Sequence, residues 1–374
     1  MLRRVAKTAG AWTLYATGGD RLVEAVRGSG QQPLVLCYHR VVRNPHRHAA
    51  SAPAMLVSQR TLSAQLDWIG RRYRFVDLDE LARSVEEGHR HRRPIAAVTF
   101  DDGYADVFRY ALPVLNRKGI PAAVFVVTDL VGSRELLLHD RLHALLREAN
   151  RRFGASGLVS LLDRHRLERP RDRADGVWPP LRITLLAERL LATLPRASLD
   201  RLVSALEHYV TIPRAVAFRM RPLDWRMLAA MQAAGVTIGS HTRSHRVLPN
   251  ERPEDVADEL RSSRRALEEK LGTPVVHFSY PNGHFSEATV CAVRAAGYRY
   301  AYTTCQHRVP DQLALTIPRR TFWESSLTGV SRRVSAAVAS CQVRGVFDRR
   351  HSCPHDHGSH SPTVAASRVE HARS

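Results

Sequence analysis

Two carboxylates, Asp101 and Asp102, stand side by side in the stretch AVTFDDGYAD (residues 97–106), directly after an apolar run. Adjacent anions at the end of a buried strand repel each other and lose hydration. A cation that takes one of them relieves the repulsion. Successive side chains of a strand point to opposite sides, so where the strand ends one carboxylate can face a metal and its neighbour a substrate. Asp-Asp-Gly is also a common turn after a strand, and the pair alone does not decide between these readings.

A second segment, SHTRSH (residues 240–245), follows the apolar run VTIG and places His241 and His245 four residues apart. One helical turn at that spacing brings both imidazoles to one side, as a zinc-like ion requires. With a strand-end aspartate they make three protein ligands and leave a position for water, the pattern of a catalytic metal site. His39, in CYHR, lies one residue beyond another buried run, where a core or capping histidine is the plainer reading. FSYPNG (residues 278–283) runs from a strand into a Pro-Asn-Gly turn able to present backbone N–H groups.

These residues need a scaffold that delivers strand ends to one place. Short apolar runs at 33–38, 73–76, 95–100, 121–127, 235–240, 275–281 and 300–304 alternate with helical patterns, which predicts parallel βα units. Seven strands favour a closed or nearly closed barrel, with chemistry at the carboxyl ends. The barrel is expected over 33–138 and 223–330. Residues 139–222 break the rhythm and predict a helical insertion forming a cap, with a polar loop ERPRDRADGVWPP (168–180) inside it. Residues 1–32 predict an N-terminal helical segment, amphipathic through Leu2, Val5, Ala9 and Trp12. Residues 331–374 predict a helix followed by a disordered, His-rich tail.

In this setting the four segments resemble the polysaccharide deacetylase family, the carbohydrate esterases with a NodB-homology domain. TFDDG (99–103) matches its first motif, SHTRSH its His-x-x-x-His motif, and YPNG (280–283) its third; the likeness covers roughly 92–320. The resemblance implies a distorted (β/α)7 barrel and metal-dependent removal of N-acetyl groups from amino-sugar polymers or oligosaccharides. It implies Asp101 as catalytic base, with Asp102, His241 and His245 as ligands of a divalent ion, zinc first, with cobalt, nickel or iron as alternatives. The Asn282 N–H, with Tyr280 and Pro281 beside it, would face the acyl oxygen. LVLCYHRVV is similar to the N-terminal strand of a circularly permuted branch, the poly-N-acetylglucosamine deacetylases, which implies His39 as general acid. Many members carry an arginine just before the third motif to orient the base. Ser279 stands there in this chain, which leaves Arg319 or Arg320 of IPRRTF as candidates for that task.

Composition narrows the remaining classes. The chain has 374 residues and a formal net charge of +20, but lysine occurs only at Lys7, Lys118 and Lys270. The excess is therefore arginine, dispersed and without interleaved aromatics, and no nucleic-acid partner is expected. A weak peripheral contact with an anionic membrane or polymer stays open. Five widely spaced cysteines with no CxxC pair predict neither a disulfide framework nor a zinc knuckle. With no membrane span or cleavable leader legible, a cytoplasmic location is expected. Two competing readings survive: an amidohydrolase of a small N-acyl or nucleotide-linked sugar, and an inactive, metal-bound carbohydrate-binding protein.

Overall fold

The computed structural model describes residues 2–26, 33–48, 50–89, 91–164, 180–307 and 309–347. Most of the polar loop 168–180, the His-rich tail and Cys353 lie outside them. Parallel strands make the central sheet: β1 (Leu34–Tyr38), β2 (Ile95–Phe100), β3 (Ala122–Val126), β4 (Thr237–Ser240), β5 (His277–Ser279), β6 (Tyr300–Thr303), β7 (Ile317–Pro318) and β8 (Arg320–Thr321). Their spatial order is β7-β6-β5-β4-β3-β2-β1-β8. Only Arg319 separates β7 from β8, so one short stretch of chain pairs with β6 on one side and β1 on the other. That stretch joins the two edges of the sheet into a barrel of seven positions.

The seventh position is not the one that the apolar runs predict. Residues 73–76 contribute only a two-residue strand, Arg74–Phe75, laid against the start of β2 outside the circuit. The stretch that joins the edges contains a proline and two arginines, and a proline inside a run argues against a central strand. It pairs because its neighbours hold it: Arg319 N–H donates to Thr303 O at 2.7 Å and Phe322 N–H to Cys37 O at 2.8 Å.

Side-chain alternation sorts the barrel into two cores. Val35, Ala97, Ala123, Phe125, Tyr300, Tyr302 and Ile317 pack together in one cluster, while Leu36, Val98, Val124 and Phe278 pack with Leu62, Leu66, Ile69, Val114 and Leu115 from flanking helices. Odd-numbered residues of β1, β2, β3, β5 and β7, and even-numbered residues of β6, therefore point into the barrel. By the same parity Cys37, Thr99, Asp101, Ser279 and Arg319 form its uppermost interior layer, at the carboxyl ends of the strands.

Between β3 and β4 the chain leaves the barrel through helices Leu138–Arg164, Pro180–Thr193, Arg196–Tyr209 and Arg214–Arg219. Leu142, Leu145, Leu158, Ile183, Leu190, Leu202 and Leu206 give these helices an apolar cluster of their own. The first of them breaks at Gly154, whose φ of 68° is left-handed. The helices are tied to the barrel by polar contacts, among them His143 Nδ1 to Ala50 O at 2.7 Å and Arg196 N–H to Glu251 Oε1 at 2.8 Å.

The N-terminal helix Leu2–Thr17 turns a different face inward from the expected one. Ala11 packs against Ala337, Val338 and Cys341 of helix Ala336–Val343, while Val5, Ala9 and Trp12 are exposed. Small residues on both helices permit that close approach. Among the described residues no helix is long and apolar enough to cross a membrane.

Candidate active site

Asp101 follows β2 directly and is buried. Arg319 grips it with two charge-assisted hydrogen bonds, Nη1 to Oδ1 at 2.7 Å and Nη2 to Oδ2 at 2.6 Å. The same guanidinium donates to Ser279 Oγ at 2.7 Å and Thr99 Oγ1 at 3.2 Å, and Ser279 Oγ donates to Asp101 Oδ2 at 3.3 Å. Burial opposes charge on Asp101, but the Arg319 guanidinium, and after it His241, hold its carboxyl below the usual carboxylate range.

Asp102 is turned elsewhere by its backbone. Its φ of 72° is left-handed, and Gly103 follows at 69°. The turn is fixed beyond it, with the Ala105 N–H donating to Arg221 O at 3.0 Å and the Leu223 N–H to Gly103 O at 2.7 Å, and Asp102 is left facing imidazoles. His245 Nε2 lies 3.3 Å and His241 Nε2 3.5 Å from its Oδ1, and His139 Nε2 lies 3.6 Å from its Oδ2. Both carboxylate oxygens are buried without a hydrogen-bond donor. Burial works against this charge, and His139 and His245 more than offset it, so the carboxyl is held far below its usual range.

His241 is prepared to act as a ligand. Its Nδ1 donates to Ser279 O at 2.7 Å, which leaves the Nε2 lone pair toward Asp102. Burial pushes its pKa down to about 4, keeping the ring neutral. Ligand atoms of Asp102, His241 and His245 all lie within 4.8 Å of one another. An orphaned buried carboxylate between two such imidazoles fits a divalent cation. Cys37, His39 and Asp101 also cluster within 4.8 Å. There, however, Arg319 already balances Asp101, and burial pushes the Cys37 thiol well up.

The two histidines do not meet on a helical turn, as their spacing suggests. Residues 241–247 form a loop with left-handed backbone at Thr242 (φ 66°) and His245 (φ 62°). Thr242 Oγ1 accepts from the His245 N–H at 2.9 Å. Glu259, buried on helix Pro253–Leu271, accepts from both the N–H and the hydroxyl of Ser244, at 2.8 and 2.6 Å. Side-chain anchors thus do the work that helical hydrogen bonds would have done. Of the five non-glycine residues with positive φ among the described residues, four (Asp102, Thr242, His245 and Asn282) belong to this site, as strain held for function does.

A cavity of about 490 Å³ opens over these groups. His39, Asp101, Asp102, His139, His241, His245 and Asn282 line it, and the insertion adds a wall of Thr184, Ala187, Glu188 and Leu191. His39 Nδ1 is buried without a hydrogen-bond partner. Its neighbour Arg40 is fixed by Asp106, Nε to Oδ2 at 2.9 Å, and by Ser51 Oγ at 2.7 Å. Burial pushes Asp106 up to about 6 even against Arg40.

The turn that carries Asn282 depends on Gly283, at φ 71°. A Cβ there would lie 2.0 Å from Thr304 Oγ1 and 2.5 Å from the Thr304 backbone nitrogen. Gly283→Ala is expected to cost about 1–3 kcal/mol through overpacking, plus roughly 1–2 kcal/mol for the left-handed conformation. A melt by scanning fluorimetry should fall by several degrees. An unchanged midpoint would show that the turn can open without cost.

A family model described as polysaccharide deacetylase matches residues 88–159 and 186–301, just over half of the chain. The chain belongs to the polysaccharide deacetylase family. IcaB from Ammonifex degensii is similar in fold, with 20% identity, a TM-score of 0.51, and coverage of 83% of this chain and 98% of that one. The Streptococcus pyogenes deacetylase PplD, in complex with acetate, has 14% identity and a TM-score of 0.50, covering 81% and 98%. Bacillus subtilis (strain 168) YxkH is 23% identical over 109 residues, which is 29% of this chain and 36% of that protein. The match thus spans about a third of the length of this curated relative.

As a member of the deacetylase family, the chain brings Asp101, Asp102, His241, His245, His39 and Asn282 to one cavity. Tyr280 and Pro281 do not line it. The Tyr280 ring is buried beside Phe278 and Phe285, and its hydroxyl donates to Leu315 O at 3.1 Å. Its even position sends it to the helix side. Arg319 reaches Asp101, whereas Arg320 points the other way, beside Trp68 and Tyr73. Three contributors carry no signal in the linear pattern: His139 from the insertion, Tyr104 beside it, and Glu259 behind the histidine loop.

Proposed function

We propose that this chain is a metal-dependent hydrolase that removes N-acetyl groups from amino-sugar polymers or oligosaccharides, in exopolysaccharide or cell-envelope metabolism. The observation that carries the reading is the pairing of two differently used aspartates. Asp101 is ionised and steadied by Arg319, and Asp102 faces His241 and His245 with no donor of its own. A binding module needs no such base.

When bound by Asp102, His241 and His245, a divalent cation supplies Lewis acidity, polarising an acyl oxygen and making a water acidic near neutral pH. Zinc suits the set, as do cobalt, nickel and iron. Asp101 accepts the proton of the attacking water. Its low pKa keeps it a base throughout the neutral range. The turn at Asn282 offers its backbone N–H to the developing oxyanion, and such a donor is worth on the order of 3 kcal/mol. His39 gives a proton to the departing amine, a contribution of about 100-fold or more.

Purified protein is expected to release acetate from N-acetylated glucosamine oligosaccharides, to lose that activity with chelator, and to regain it with added zinc or cobalt. Bound metal with no acetate release across a substrate panel would sink the reading. The insertion wall over the cavity favours one variant of it, an amidohydrolase of a short N-acyl sugar. Release from soluble mono- or disaccharides and none from polymer would select that variant.

A further inference from the structure

The two oxygens of Asp102 face different partners. Oδ1 lies toward the Nε2 atoms of His245 and His241, and Oδ2 lies 3.6 Å from His139 Nε2. His139 comes from the first helix of the insertion, not from the barrel, and its side chain is only 14% exposed. Its ring stands edge-on to His245, with centroids 5.1 Å apart.

The protonation of His139 follows from its neighbours. Tyr104 Oη donates to Asp140 Oδ2 at 2.7 Å, so its lone pairs are left to accept. His139 Nε2 lies 2.9 Å from that same oxygen and must therefore be the donor. An Nε2 that carries a hydrogen cannot bind a cation. That hydrogen is taken by the phenol at 2.9 Å, and Asp102 Oδ2 lies beside it, 3.6 Å from Nε2.

We infer that His139 is a positioning residue for Asp102. Its Nε2–H edge, held by Tyr104, stands 3.6 Å from the second carboxylate oxygen, beyond hydrogen-bond distance, and attracts it electrostatically, so that Oδ1 is the oxygen presented alongside His241 and His245. The inference rests on the reading that these three residues hold a divalent cation. Outer partners of a metal ligand fix its orientation before the ion arrives, and losing one typically weakens binding by about 10–100-fold. Tyr104 and Asp140 in turn fix His139. The cation site is then built jointly by the barrel and the insertion, and the insertion does more than shape the cleft.

The test compares His139→Leu, which fills the space without a donor, with His139→Gln, whose amide can donate. Zn²⁺ affinity is read by competition with a chromogenic chelator, independently of any substrate. The expected result is about 10–100-fold weaker binding for the leucine variant, with glutamine within a few-fold of the parent protein. Equal affinity for all three overturns the inference, as does equal loss in both variants. If the leucine variant does not fold, Tyr104→Phe removes only the hydroxyl that orients His139. Weaker Zn²⁺ binding in that variant supports the inference, and unchanged binding overturns it. A parent protein that takes up no Zn²⁺ at all would instead overturn the reading of the site.

Discussion

Asp101→Asn is expected to lose at least about 10³-fold in turnover while keeping its metal, and Asp102→Asn to lose the metal itself. The two residues are neighbours of identical chemistry, so composition cannot assign these outcomes. Their surroundings do. Both Asp101 oxygens are engaged by Arg319, at 2.6 and 2.7 Å, and have little capacity left for a cation. The Asp102 oxygens have no donor and face three imidazoles at 3.3 to 3.6 Å. An amide at 101 keeps the shape but cannot take a proton from water. An amide at 102 removes the one negative charge in the ligand set. Metal content and acetate release on both variants would check this, and metal loss at 101 with retention at 102 would reverse the roles.

Arg319→Met is expected to cost about 3–5 kcal/mol of stability, the usual result of stranding one partner of a buried ion pair. It should also shift the acid limb of the rate profile upward. In the parent protein the Asp101 carboxyl is depressed. Its ionisation therefore adds stability that is present above the unfolded-state pKa of about 4 and lost as pH falls through the lower folded-state value. Without the guanidinium, burial dominates and the pKa rises above the unfolded-state value. The sign then reverses, and the variant's deficit shrinks as pH falls from neutral toward about 4, because protonation removes the unpaired charge. Urea titrations at neutral and acid pH, with kcat/KM measured over the same range, test both effects. A deficit that does not change with pH would argue that Arg319 matters only for packing. Arg319→Lys should fall between, since an ammonium cannot reproduce the two-point grip.

Local pattern carries part of this architecture. The barrel class follows from apolar runs separated by helical stretches, because strands buried on both faces need continuous apolar sequence. The candidate ligand residues stand out because Asp-Asp and His-x-x-x-His at strand ends are chemically conspicuous over a few residues. Segment 317–321 was not legible as a strand. Its pairing is supplied by Thr303 and Cys37, and its arginine is tolerated inside the barrel only because Asp101 is there to meet it. The histidine spacing points to a helical turn, whereas a loop with two left-handed residues, pinned by Glu259, is what brings the rings together.

The sequence by itself determined which residue types could hold a cation and move protons, and that they would lie at the carboxyl ends of parallel strands. Those features depend on short spacings and on strand parity, which the chain carries locally. The tertiary structure alone decided that Arg319 rather than Arg320 grips Asp101, that Tyr280 is a core residue, and that His139 of the insertion stands against Asp102. These are contacts between segments distant in the chain. They are set by where the sheet edges meet and by which face of each element is buried, and no local spacing encodes that.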